Sequence, residues 1–152
     1  MDSSDNANSK AMIEYYDCRI AELERKRELF LSERRHIVEK SNECSDCRDE
    51  LQRVKGALES VLEDIRLYVK KDREKIDGRV KKLRILFDSI EASTRSPLIN
   101  SQNENLDYSI RSVDENFTDY DNQIRRVDYD VRQVEYEIEQ MRTMRGGLMN
   151  GQ

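Results

Sequence analysis

The sequence contains no tryptophan, a single proline and five glycines. Sheet-based folds and α/β enzymes depend on strands, glycine-bearing turns and a broad apolar core, and these scarcities argue against both. No apolar run approaches the ~18 residues of a membrane-spanning helix. Three cysteines do not make a disulfide framework, and their odd number suits a reducing compartment. Met1 to Lys10 is polar and lacks the apolar core of a signal peptide. The expected location is therefore cytoplasmic. There is no excess of basic charge: 27 basic residues face 32 acidic ones, a net charge of −5, the opposite of a free nucleic-acid binder. No glycine-rich phosphate loop occurs, and nothing calls for a cofactor or a small-molecule substrate.

What the chain does have is charge and periodicity. Charged residues make up 39% of its 152 residues and hydrophobic ones 36%. That balance fits long amphipathic helices, which bury one stripe and solvate the rest. Residues 1–9 read as a disordered tail. From Ile13 through Tyr16, Ile20, Leu23, Phe30 and Ile37 the apolar spacing is helical, over about 11–40. Residues 39–43, without an apolar side chain, suggest a turn or kink. A second stripe joins Cys44, Cys47, Leu51, Val54, Leu58, Val61, Ile65 and Tyr68 in alternating steps of three and four. It lapses over Lys70–Lys75, a candidate hinge, and resumes one position out of phase at Ile76, Val80, Leu83, Phe87 and Ile90. This predicts a helix over 44–92. Residues 93–103, with the only proline and many Ser and Asn, read as the loop, and Ser101 to Glu104 as a capping box.

The third stripe runs Leu106, Ile110, Val113, Phe117, Tyr120, Ile124, Val127, Val131, Val134, Ile138 and Met141 without a gap. Heptad spacing sustained this long predicts a coiled coil. The helix spans 104–145 and is expected to end at Gly146-Gly147, leaving 146–152 as a flexible tail. The expected fold is all-α: a single coiled-coil domain over 10–145, in which a long antiparallel hairpin of the second and third helices carries the N-terminal helix, like a three-helix bundle. A reversal near residue 98 would set the basic run 70–84 against the acidic side chains of 112–126.

Chemistry-bearing constellations are sparse. Cys44-Ser45-Asp46-Cys47 has the spacing of a redox pair or half a zinc site, but no second such pair exists, and both thiols sit on the apolar stripe as small hydrophobes would. Only Cys18 and His36 could supplement it. His36 follows Glu33 by three residues, a single Glu-x-x-His where a four-helix dimetal site needs two. No catalytic and no metal-binding residue is assigned. The basic run 70–84 is interrupted by Asp72, Glu74 and Asp77, and reads as a pairing surface rather than a nucleic-acid or membrane patch.

Tyr15-Tyr16-Asp17-Cys18-Arg19-Ile20-Ala21-Glu22-Leu23-Glu24-Arg25-Lys26, together with Tyr120-Asp121-Asn122-Gln123-Ile124 and the following Val127, Val131, Val134 and Ile138, resembles the WXG-like helical-hairpin proteins of bacterial type VII secretion. The likeness is to the subgroup that partners LXG-type toxins. It implies a hairpin that binds a toxin's N-terminal helices, and export without a cleavable signal peptide. The W-x-G turn is absent, and the only Y-x-x-x-D lies in mid-chain at Tyr68 to Asp72.

The expected function is that of a non-catalytic adaptor or chaperone-like protein, binding another helical protein or a second copy of itself. A thiol-redox or metal-responsive switch at Cys44/Cys47 and a structural homo-oligomeric coiled coil are the alternatives. Leu29, Phe30, Leu31, Ile37 and Val38 are more apolar residues than one helical face can bury together. With the seven-spaced pair Tyr129 and Tyr136, they form the expected partner-binding set.

Overall fold

The computed structural model describes residues 2–75 and 81–150, and of these all but Arg95 and Ser96 are helical. Helix α1 runs Asp2–Lys75, α2 runs Lys81–Thr94 and α3 runs Pro97–Asn150. No strand occurs among the described residues.

Several boundaries differ from the sequence reading. Helix α1 already includes residues 2–9, and it passes through 39–43 without a break. Ser and Asn cost only a few tenths of a kcal/mol each in a helix, and no glycine or proline precedes Gly56 to stop it. Ser41 is itself buried, filling the place between Ile37 and Cys44 on the inner face. The candidate hinge at 70–75 is helical as well. Ile76 and Val80, where the displaced stripe resumes, lie outside the described residues.

The expected loop at 93–103 contracts to two residues. The α2 backbone closes with Arg95 N–H donating to the Ala92 carbonyl and Ser96 N–H to that of Ser93. Ser96 then caps α3: its Oγ accepts from Ile99 N–H at 3.4 Å and its carbonyl from Asn100 N–H. Pro97 takes the first helical position, where its missing N–H costs nothing and its ring drives Ser96 out of helical geometry. Ser101 and Glu104, the expected capping box, sit one turn inside α3.

At the other end α3 continues through Gly146 and Gly147 to Asn150. Neither glycine has positive φ, and a Cβ on either meets nothing within 4 Å. Gly146→Ala and Gly147→Ala are therefore expected to stabilise the helix end by roughly 0.5–1 kcal/mol each. Helix content and thermal melting check this; a lowered melting point would mean that α3 ends before Gly146.

The chain divides into two compact units. The first comprises Met1–Asn42 and Thr118–Gln152. Here α1 and α3 pair antiparallel around two apolar clusters. One joins Leu23, Val134 and Ile138, with Ile20, Phe30 and Met141 against it. The other joins Ile37, Val127 and Val131, flanked by Phe30, Leu31, Tyr120 and Ile124. The α3 side of both clusters is the predicted heptad stripe. Arg27 Nε donates to Glu135 at 2.8 Å and Arg34 Nε to Asp128 at 2.6 Å, a step of seven along α1 matched by seven back along α3.

The second unit comprises Glu43–Phe117. The same step of seven relates Arg48–Asp114 at 2.7 Å to Lys55–Asp107 at 2.5 Å, between antiparallel α1 and α3. The hydrogen bond from Nζ to Asp107 holds the Lys55 ammonium above its ordinary value. Helix α2 also runs antiparallel to α1: Arg73 pairs with Asp88 and Glu91, and Ile65, Tyr68 and Val69 line one groove with Phe87 and Ile90. The expected register, with 70–84 opposite 112–126, is thereby corrected. Asp114 belongs to Arg48 and Arg73 to α2, because the return path begins with α2 and the break at 95–96 bends it rather than reversing it.

Candidate partner-binding surface

The inner face of α1 in the second unit departs from the sequence stripe in half of its positions. Cys44, Leu51, Leu58 and Ile65 are half-buried. Their companions on that face are Lys55, Leu62 and Val69, with Leu62 and Val69 buried. The other half of the stripe, at Cys47, Val54, Val61 and Tyr68, turns outward, with Val54, Val61 and Tyr68 exposed by 41%, 55% and 67%. A seven-residue step keeps these four in line on one flank of the helix.

Further apolar side chains of this unit are exposed as well. Leu67 on α1, Leu83, Ile85 and Leu86 on α2, and Leu98, Tyr108 and Phe117 on α3 are all exposed. Between α1 and α2 lies a groove of about 340 Å³ lined by Asp64, Ile65, Tyr68, Val69, Phe87 and Ile90. Tyr68 belongs both to the exposed line and to the groove wall. The first unit buries more, with Leu23, Ile37, Val127, Val131, Val134 and Ile138 all in its core, although Met12, Tyr15, Leu29, Tyr129, Tyr136, Met144 and Met149 stay exposed. Exposed apolar side chains in this number make the face a candidate protein–protein surface.

The residues expected to bind a partner fall in the first unit, and the structure separates them. Ile37 is in the core, Phe30 packs against both clusters and Leu31 against one, and Val38 is half-buried. Leu29 is left outside at 71% exposure. It lines a shallow groove of about 640 Å³ with Ala21, Glu24, Arg25, Glu28 and Arg35. Tyr129 and Tyr136 are exposed on α3, and the Tyr136 hydroxyl accepts from Gln140 at 2.7 Å. The surplus of apolar residues at 29–38 is thus resolved mostly by packing. The larger uncovered surface belongs to the second unit, where the signal was the coexistence of two half-stripes, 44/51/58/65 and 47/54/61/68, on a helix that can bury only one side.

Electrostatics on this surface are those of exposed groups. Arg53 pairs with Glu50 one turn earlier, and this contact lowers the Glu50 carboxyl and raises the Arg53 guanidinium from their ordinary values. Cys18 and Cys47 are exposed, Cys44 is half-buried, and all three are free thiols. Among the described residues no group of three His, Cys, Asp or Glu is arranged to hold a metal ion, and no helix is long and apolar enough to cross a membrane.

Comparison with protein-family models, curated proteins and solved structures finds no match to this chain.

Proposed function

We propose that the chain is a non-catalytic helical interaction protein, adaptor- or chaperone-like, which binds a partner helix through the apolar surface of its second unit. The observation that supports this reading is the imbalance within that unit. Leu62 and Val69 are its buried apolar side chains among the described residues, whereas Val54, Val61, Tyr68, Leu83, Ile85 and Leu86 stand exposed. An amphipathic helix laid along such a surface buries apolar faces on both sides, the usual mode of helix-in-groove recognition. The likeness to WXG-like proteins makes the N-terminal helices of a secreted toxin one form that this partner could take.

The test compares the wild-type chain with Ile85→Ser/Leu86→Ser in cross-linking from its native cells, with mass spectrometry to identify what is bound. Both positions are exposed, so the variant keeps its helix content. A helical protein recovered at about one-to-one stoichiometry with the wild type, and at least tenfold less with the variant, supports the reading. Equal recovery by the two chains, or none by either, counts against it.

A further inference from the structure

The outward line on α1 carries a charge pattern that selects its occupant. Asp46, Arg53, Asp64 and Lys71 are all exposed. They are separated by seven, eleven and seven residues, each close to a whole number of helical turns, so all four lie along one flank. Their signs alternate: negative, positive, negative, positive. The spacing is the same read in either direction, while the signs invert on reversal. A second copy of the same helix, laid antiparallel, therefore presents the opposite charge at each of the four places. A parallel copy presents like charge at each.

The strip beside these charges is apolar except at Glu50, which lies between Cys47 and Val54 and pairs with Arg53. Val54, Ala57 and Val61 occupy its middle, and Cys47 and Tyr68 its ends. In the antiparallel alignment Asp46 meets Lys71 and Arg53 meets Asp64, and Ala57 of one copy falls within one residue of Val61 of the other. Asp46, Asp64 and Lys71 form no ion pair within the chain among the described residues. Arg53 is engaged only by Glu50 on its own helix, with both side chains largely in water. In antiparallel helix pairs, residues on the same flank face one another, and charges there set partner and orientation.

We infer that the segment Asp46–Lys71 of α1 is a self-association surface, on which two copies of the chain pair antiparallel through Val54, Ala57 and Val61. The inference rests on the functional reading above and makes its partner a second copy.

Sedimentation equilibrium of the full chain from about 1 µM to 1 mM, the span between tight and weak association, reads the dimer directly. Val61→Asp is expected to raise the dissociation constant at least tenfold. Two charge-reversed chains give the sharper result. The first carries Arg53→Glu and Lys71→Glu; the second carries Asp46→Lys and Asp64→Lys. Each alone brings like charges together at all four places and is expected to be monomeric. Mixed, they restore opposite charges and form a one-to-one heterodimer. Circular dichroism of each variant separates loss of pairing from loss of helix. Should the double reversals lose helix, the single changes Lys71→Glu and Asp46→Lys, alone and mixed, are read in the same way. A dimer that survives Val61→Asp, or reversed chains that fail to pair on mixing while remaining helical, overturns the inference. So does a wild type that stays monomeric. In that last case the broader reading still stands if cross-linking recovers a foreign helix sensitive to Ile85→Ser/Leu86→Ser, and falls with it if nothing is recovered.

Discussion

Val127→Asp is expected to destabilise the first unit by roughly 3–5 kcal/mol, the cost of a buried charge without a partner. Val127 is only 5% exposed and packs with the apolar side chains of Ile37 and Val131, which offer no hydrogen-bond donor to a carboxylate. For a chain of this size the loss lowers the melting temperature on the order of 10 °C. Burial disfavours the ionised form, so the introduced carboxyl titrates at a higher pH in the folded than in the unfolded chain. The penalty is then largest above the folded value and shrinks as the pH falls and the group is protonated. Thermal melts at neutral and mildly acidic pH, each against wild type, should show the gap narrowing. The neighbouring Asp128→Ala gives the scale. Asp128 is not a free solvated side chain, since it accepts from Arg34 at 2.6 Å, but the pair is partly exposed and its loss costs about 0–1 kcal/mol. Equal melting points for the two variants would place the α1–α3 seam elsewhere.

Leu23→Ala is expected to cost about 2–5 kcal/mol, the range for truncating a buried leucine and leaving a cavity. Leu23 is 2% exposed, in the cluster with Val134 and Ile138, and two long helices have little freedom to collapse around the missing atoms. Leu29→Ala removes the same atoms from a side chain 71% exposed, and its effect should stay within about 0.5 kcal/mol. Chemical denaturation of both variants reads the difference. A large loss from Leu29→Ala would mean that Leu29 is covered in solution.

The helical class and the α3 seam were legible because their signals are redundant. From Tyr120 to Met141 the apolar residues on the heptad positions line the inner face, and no competing stripe exists. The topology was less legible. Ser- and Asn-rich residues 93–103 look like a reversal because those side chains serve equally as helix caps and as turn formers, and Ser96 uses that chemistry to start a helix. Asp77-Gly78, a turn-type dipeptide in sequence, lies outside the described residues. Placing the reversal late moved the basic run opposite the wrong acidic segment. The outward apolar line of the second unit was missed for a different reason. Periodicity says that 44/51/58/65 and 47/54/61/68 share one broad face, but which edge of that face is covered depends on where α3 lies. Lys55, a charged residue on the inner edge, was the available clue, and its partner Asp107 is 52 residues away.

The ion pairs of the first unit also limit how its two helices can slide. Arg27 and Arg34 put the cation on α1 and the anion on α3. Nearer the start of α1 the polarity changes over: Glu24 pairs with Arg142 and Asp17 with Arg145. A uniform ladder would be satisfied equally well after slipping by one full heptad, which also returns an apolar residue to most inner places. The changeover removes that degeneracy. Slipping one way sets Glu24 against Glu135, and slipping the other way sets Arg27 against Arg142. Each clash is modest in water, about as small as the pairs it replaces, yet it falls on the misaligned states and spares the native one. Four pairs of little energetic worth can thus act as a vernier, distinguishing alignments that the valine and leucine stripe alone would leave close in energy.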